Sequence, residues 1–193
     1  MGMAEYAELN PPFAPERECF GSFTHQEIWD RVHEVLDPAA LGASAAAWKS
    51  NADAVAAAFA TFADTVRREF GGWSGHTATA AWQATQDFIR TGEATHDVCR
   101  ALQRIMSGNS DAAQTLRAAL AAPQPYRRLD DPAAEAVHGG RRRMEHDIAS
   151  AAATADAQDA MTGIYLPTIP ASGDRVPRFP GTSTGADRGS PHR

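Results

Sequence analysis

Apolar residues recur every three or four positions between residues 41 and 66. Leu41, Ala45, Trp48, Ala52, Val55, Phe59, Phe62 and Val66 alternate steps of four and three, so every position of a heptad seam is filled. From Pro38 to Phe70 the only glycine is Gly42, and no proline follows Pro38. This spacing predicts one helix over 38–70, roughly 50 Å long at ~1.5 Å per residue. Asp37-Pro38 supplies its start, with Asp37 as N-cap and Pro38 at the first helical position. Gly71-Gly72 stops it, and Gly71 suits a left-handed C-cap.

A second long helix is expected from His76 to Met106, built on Trp82, Phe88, Ile89, Val98, Cys99, Leu102, Ile105 and Met106, with Ala78, Ala81 and Gly92 as small seam residues. Ser107-Gly108-Asn109 should weaken it before Ser110 or Asp111 recaps a continuation to Leu120. Two long helices joined by so short a segment are expected to run antiparallel. Ahead of them, Thr24-His25-Gln26-Glu27 reads as a capping box for a short helix over 24–36. Asp131-Pro132 opens a further helix over 131–161, poor in large residues beyond Val137, Met144 and Ile148. The expected organisation is an irregular, proline-containing arm over 1–22, a helical bundle over 23–162 and a disordered Pro/Gly-rich tail over 163–193. The fold class is all-α, an elongated bundle built on a long antiparallel hairpin.

Composition sharpens that picture. Of 193 residues, 40 are alanine, whereas Val, Ile, Leu and Phe together number 29. A parallel sheet needs continuous runs of branched aliphatics, and a β-sandwich needs regular alternation; neither pattern is present. Alanine instead favours helices that pack closely. So few large apolar residues suggest a hairpin that completes its core with another chain. The formal charge of -6 gives no nucleic-acid signature. No apolar stretch approaches a membrane span, and the first residues lack the character of a Sec-type signal peptide.

Candidate chemistry is sparse. His96 and Cys99 share a helix face, but a zinc site needs three or four converging ligands. Glu145-His146-Asp147 are neighbours on a helix and point different ways. No phosphate-binding loop, nucleophile elbow or dinucleotide fingerprint occurs. No enzyme activity, cofactor or metal is expected. Arg141-Arg142-Arg143 reads as a solvated face. Cys19 and Cys99 either pair or remain free thiols.

One motif stands apart. Trp73-Ser74-Gly75 falls between the two long helices, where a tryptophan is badly sited for its own core. Pro11-Pro12 precedes the bundle, and Ala45-Ala46-Ala47-Trp48-Lys49-Ser50 lies upstream of the turn. In this arrangement, over roughly residues 10–122, the chain resembles the WXG and PPE-type proteins of the type VII (ESX) secretion system. The PPE-like branch is the nearer, although Phe13 stands where the Pro-Pro-Glu signature has glutamate.

The resemblance implies a secreted or envelope protein, cytoplasmic before export, that works by helical association. Its partner would be a PE-type or small WXG helical hairpin forming a four-helix bundle, or a second copy of itself. A cytosolic secretion chaperone and the type VII machinery would be further partners; nucleic acid would not. Trp73 and Gly75 would form half of an export signal, completed by a Tyr-x-x-x-acid motif on the partner or at Tyr126 and Asp130. Leu41, Trp48, Val55, Phe59, Phe62, Val66, Trp82 and Ile89 would form the core and partner seam. Two other roles fit the same resemblance: a self-assembling envelope protein, and the N-terminal export module of a larger effector or toxin.

Overall fold

The structure, a computed structural model, describes residues 17–181. Pro11, Pro12, most of the expected N-terminal arm and the end of the expected tail lie outside these residues. The described chain is all-α, with five α-helices: α1 (His25–Asp30), α2 (Pro38–Phe70), α3 (His76–Ala119), α4 (Pro132–Ala160) and α5 (Leu166–Ser172). Wider π-type turns follow α1 at Arg31–Val35 and α4 at Met161–Tyr165, and 3-10 turns lie at Phe20–Ser22 and Gly173–Arg175.

Local chemistry sets most boundaries. The Thr24 hydroxyl accepts from the Glu27 N–H at 3.3 Å, and the Glu27 carboxylate accepts from the Thr24 N–H at 2.8 Å. This reciprocal cap satisfies two amides at the start of α1. Asp37 Oδ1 accepts from the N–H groups of Ala39 and Ala40, and Asp131 Oδ1 from that of Ala133. In both cases the proline that follows sits where a helix needs no amide donor.

Two compact units make up the chain, and α2 and α3 contribute to both. Among described residues the first comprises 43–106 and 175–181. Ala45, Ala52, Val66, Val98, Cys99 and Leu102 are among its buried apolar residues. Phe59 lies against Gly92: a Cβ placed on Gly92 would come within 2.4 Å of the ring. The Phe59 and Phe88 rings are 5.2 Å apart, Phe62 meets Phe88 edge-on at 5.5 Å, and Phe70 packs on Trp82 at 5.6 Å. Phe179 approaches Trp48 at 6.3 Å.

The second unit comprises 17–42 and 107–174 and holds the larger core. Phe20, Ile28, Val32, Leu116, Leu120, Ala157 and Met161 form a buried cluster. Ile164, Tyr165 and Leu166 pack against it, with Tyr165 edge-on to Phe20 at 5.6 Å. Polar links reinforce it. Arg117 donates to the carbonyls of His33 and Leu36, and Gln158 to those of Gly21 and Phe23.

Three expectations are corrected. The chain does not become an irregular tail at 163: it is helical through Arg175. The Leu166 N–H reaches back five residues to the Met161 carbonyl, a widened turn just before Pro167, which has no amide to donate. Apolar contacts of Met161, Ile164, Tyr165 and Leu166 hold this segment in place. Second, α3 runs unbroken through Ser107-Gly108-Asn109. Asn109 and Ser110 are buried and partnered, Asn109 donating to Ser172 Oγ at 3.0 Å and Ser110 to the Pro38 carbonyl at 2.8 Å. Third, the left-handed glycine after α2 is Gly75, with φ of 95°, and not Gly71.

Candidate functional site

The first site is the turn between α2 and α3. Trp73 N–H donates to the Phe70 carbonyl at 3.1 Å, closing a tight turn. Gly75 then takes positive φ, and its carbonyl accepts from the Thr79 N–H in the first turn of α3. That conformation costs a residue with a Cβ roughly 1–2 kcal/mol, which gives the glycine of Trp-x-Gly a backbone reason. The Trp73 indole lies 5.0 Å from the Phe70 ring yet stays 62% exposed. Together with Arg67, Ala78 and Trp82, these two rings border an open pocket of about 330 Å³.

Burial varies along the α2 seam. Ala45, Ala52 and Val66 are buried, and Leu41, Trp48, Val55 and Phe59 are half-buried, as is Ile89 on α3. Phe62 is exposed, and its neighbour Ala63 takes the sheltered position. A straight helix has 3.6 residues per turn and drifts off a strict heptad, so the sheltered face moves on by one residue there. Phe62, Trp82 and Phe88 are exposed.

Tyr126 and Asp130 do not share a helix face. Both lie in the irregular segment between α3 and α4, and Asp130 is exposed. The Tyr126 hydroxyl reaches Glu135 Oε1 at 3.1 Å and the Gly139 carbonyl at 3.2 Å. Glu135 Oε2 accepts from the Leu129 N–H at 2.8 Å. That amide, chiefly, holds the Glu135 carboxyl below its ordinary pKa; partial desolvation works against it, and Tyr126, Arg142 and Arg128 add to the lowering. His146 Nε2 donates to the Gln124 carbonyl at 2.9 Å, and its ring meets Tyr126 edge-on. Arg142 points into the same cluster, 3.7 Å from Glu135, so the three arginines do not form one solvated face. Arg143 sits over the Tyr126 ring and remains exposed, as does Arg141. The unforeseen residue here is Glu135, which carries no signal of its role in the sequence.

Cys19 is exposed and Cys99 buried, and both are free thiols. Among the described residues no cluster of three or more potential metal ligands occurs, and no helix is long and apolar enough to cross a membrane. The described chemistry is that of aromatic and aliphatic surfaces with ion pairs at their margins. No protein-family model matches the chain, and searches of curated proteins and of solved structures also return no match.

Proposed function

We propose that this chain is a non-enzymatic, PPE-like protein associated with type VII secretion, acting by association of helices. The observation that carries the proposal is the Trp73 turn: an indole left 62% exposed, two residues before a glycine in left-handed conformation. A tryptophan used only for packing would bury most of its surface. In this reading α2 and α3 form an antiparallel hairpin with Trp73-Ser74-Gly75 at its turn. Ring contacts support that arrangement: the α3 partner moves from Trp82 to Phe88 to Gly92 as the α2 partner moves back from Phe70 to Phe62 to Phe59.

The exposed Phe62, Phe88 and Trp82 beside the seam would be covered by a PE-type or small WXG hairpin, completing a four-helix bundle. Trp73 and Gly75 would be read by the export machinery, after handling by a cytosolic chaperone, and the protein would reach the envelope or the exterior. Tyr126 is a weak candidate for the second half of the signal, because its hydroxyl is committed to Glu135 and Gly139.

Affinity capture from the native host, with mass spectrometry and a secretion assay, tests this reading with Trp73→Ala. Loss of export with partner binding retained supports it. Export unaffected by the substitution, or a strictly monomeric protein that ignores co-expressed PE-type and WXG hairpins, refutes it.

A further inference from the structure

Residues 176–180 form no helix, yet they are sheltered. Pro177 is buried, and Val176, Arg178, Phe179 and Pro180 are half-buried, between exposed Arg175 and exposed Gly181. The stretch belongs to the first unit, where the Phe179 ring lies 6.3 Å from the Trp48 indole at an interplanar angle of 32°. That separation is within the range of a favourable aromatic pair. Trp48 is the one large apolar side chain on α2 between Leu41 and Val55. Ala45 and Ala52, about one turn to either side, are small and buried. The indole is therefore the principal apolar surface that this part of α2 offers, and Phe179 meets it.

The covering segment has a composition suited to that surface. Pro177-Arg178-Phe179-Pro180 sets two prolines three residues apart. Each fixes φ near about −65° and resists a helix interior, so the segment is already restricted and docking orders little further chain. The backbone groups of α2 are spent within the helix, which leaves side chains as the surface it can offer an extended chain. Two of the four residues from Pro177 to Pro180 have no amide N–H to leave unsatisfied there. For these reasons extended Pro-x-x-Pro segments are ligands of aromatic surfaces.

We propose that the α2 surface centred on Trp48 is a binding site for extended Pro-x-x-Pro peptides with an aromatic residue before the second proline, and that residues 176–180 fill it as a cis ligand. The site is closed to any other such segment until its own one lifts. Tethering gives the cis ligand an effective concentration on the order of mM, so the closed form is the resting state. The inference is independent of the secretion reading, because it needs neither a partner hairpin nor export.

Fluorine NMR of the full chain labelled with 5-fluorotryptophan tests it. The four tryptophans give four resonances, and Trp48→Phe assigns one of them. Phe179→Ala should shift the Trp48 resonance and leave those of Trp29, Trp73 and Trp82 in place, with helical circular dichroism retained. A synthetic peptide of residues 174–181 at about 1 mM should return the Trp48 resonance of this variant toward its wild-type position. The same peptide should move the resonance of the wild-type chain about tenfold less, because the cis ligand competes. A peptide carrying Phe179→Ala should have no effect on either protein. A Trp48 resonance that Phe179→Ala leaves unmoved overturns the proposal. So does a variant in which all four resonances move and helical signal is lost, which would make 176–180 part of the core. A wild-type peptide that acts no better than its alanine counterpart overturns it as well.

Discussion

Replacing Gly92 by alanine sets two effects of opposite sign against each other. Alanine in a helix interior is about 1 kcal/mol more favourable than glycine. The added methyl, however, would stand within 2.4 Å of three atoms of the Phe59 ring, well inside van der Waals contact. The ring cannot bend away as a lysine or glutamate tip would, and its displacement presses on Phe88, 5.2 Å distant. Overpacking of this kind costs about 2 kcal/mol. Gly92→Ala should therefore lower stability by about 1 kcal/mol net. Phe59→Ala empties the space that the methyl needs. In that background the same substitution should stabilise by about 1 kcal/mol, leaving only the propensity term. Urea unfolding of all four proteins, followed by circular dichroism, measures the cycle, and the expected coupling is about 2 kcal/mol. If Gly92→Ala stabilises equally in both backgrounds, Phe59 does not pack on Gly92 and the account of this contact is wrong.

Gly75→Ala should cost roughly 1–2 kcal/mol because of its positive φ, whereas Gly72→Ala, with open space and no positive φ, should be nearly neutral; equal effects in thermal melts would refute the assignment of the turn glycine. Cys19 should react quickly with a thiol reagent and Cys99 slowly, since burial raises the Cys99 pKa and shields its sulfur; denaturant should merge the two phases, and a single fast phase in the native protein would contradict the burial. Glu135 has a depressed pKa in the folded chain, so the stability it adds is complete above its ordinary value of 4.5 and is lost as pH falls through the lower folded value. The stability gap between wild type and Glu135→Gln should accordingly be constant near neutrality and close in acid; a gap that widens in acid would reverse the sign.

What the sequence revealed was chemistry confined to a few neighbouring residues. Thr24 with Glu27, Asp37 with Pro38 and Asp131 with Pro132 mark helix starts because donor and acceptor lie within three positions. The α2 seam was legible because its period is a property of one helix. Misreadings arose where a distant partner decided the outcome. Ser107-Gly108-Asn109 looks like a break, yet Asn109 finds Ser172 and Ser110 finds the Pro38 carbonyl. Pro167 and Pro170 look like the end of structure, yet Ile164, Tyr165 and Leu166 gain a core contributed by Phe20, Ile28 and Leu116. Tyr126 and Asp130 matched a motif by spacing, while the residue that engages the tyrosine, Glu135, lies nine positions on.

The same distinction bears on association. Alanine-rich helices with 29 large Val, Ile, Leu and Phe residues in 193 have few to spare. Phe62, Trp73, Phe88, Val137, Met144 and Ile148 are nonetheless exposed. A chain optimised only for its own stability would bury these side chains, each worth about 1.5–3 kcal/mol on full burial. In the first unit, Gly92, Ala45 and Ala52 take sheltered positions, so helices pack at these points with little side-chain volume between them. In the second, polar residues of α4 are drawn inward to satisfy a loop backbone. Both arrangements leave large apolar residues at the surface for a stated local reason. They also leave different strips, one aromatic and one aliphatic. The two are therefore separable by substitution, at Trp73 for the first and at Met144 for the second.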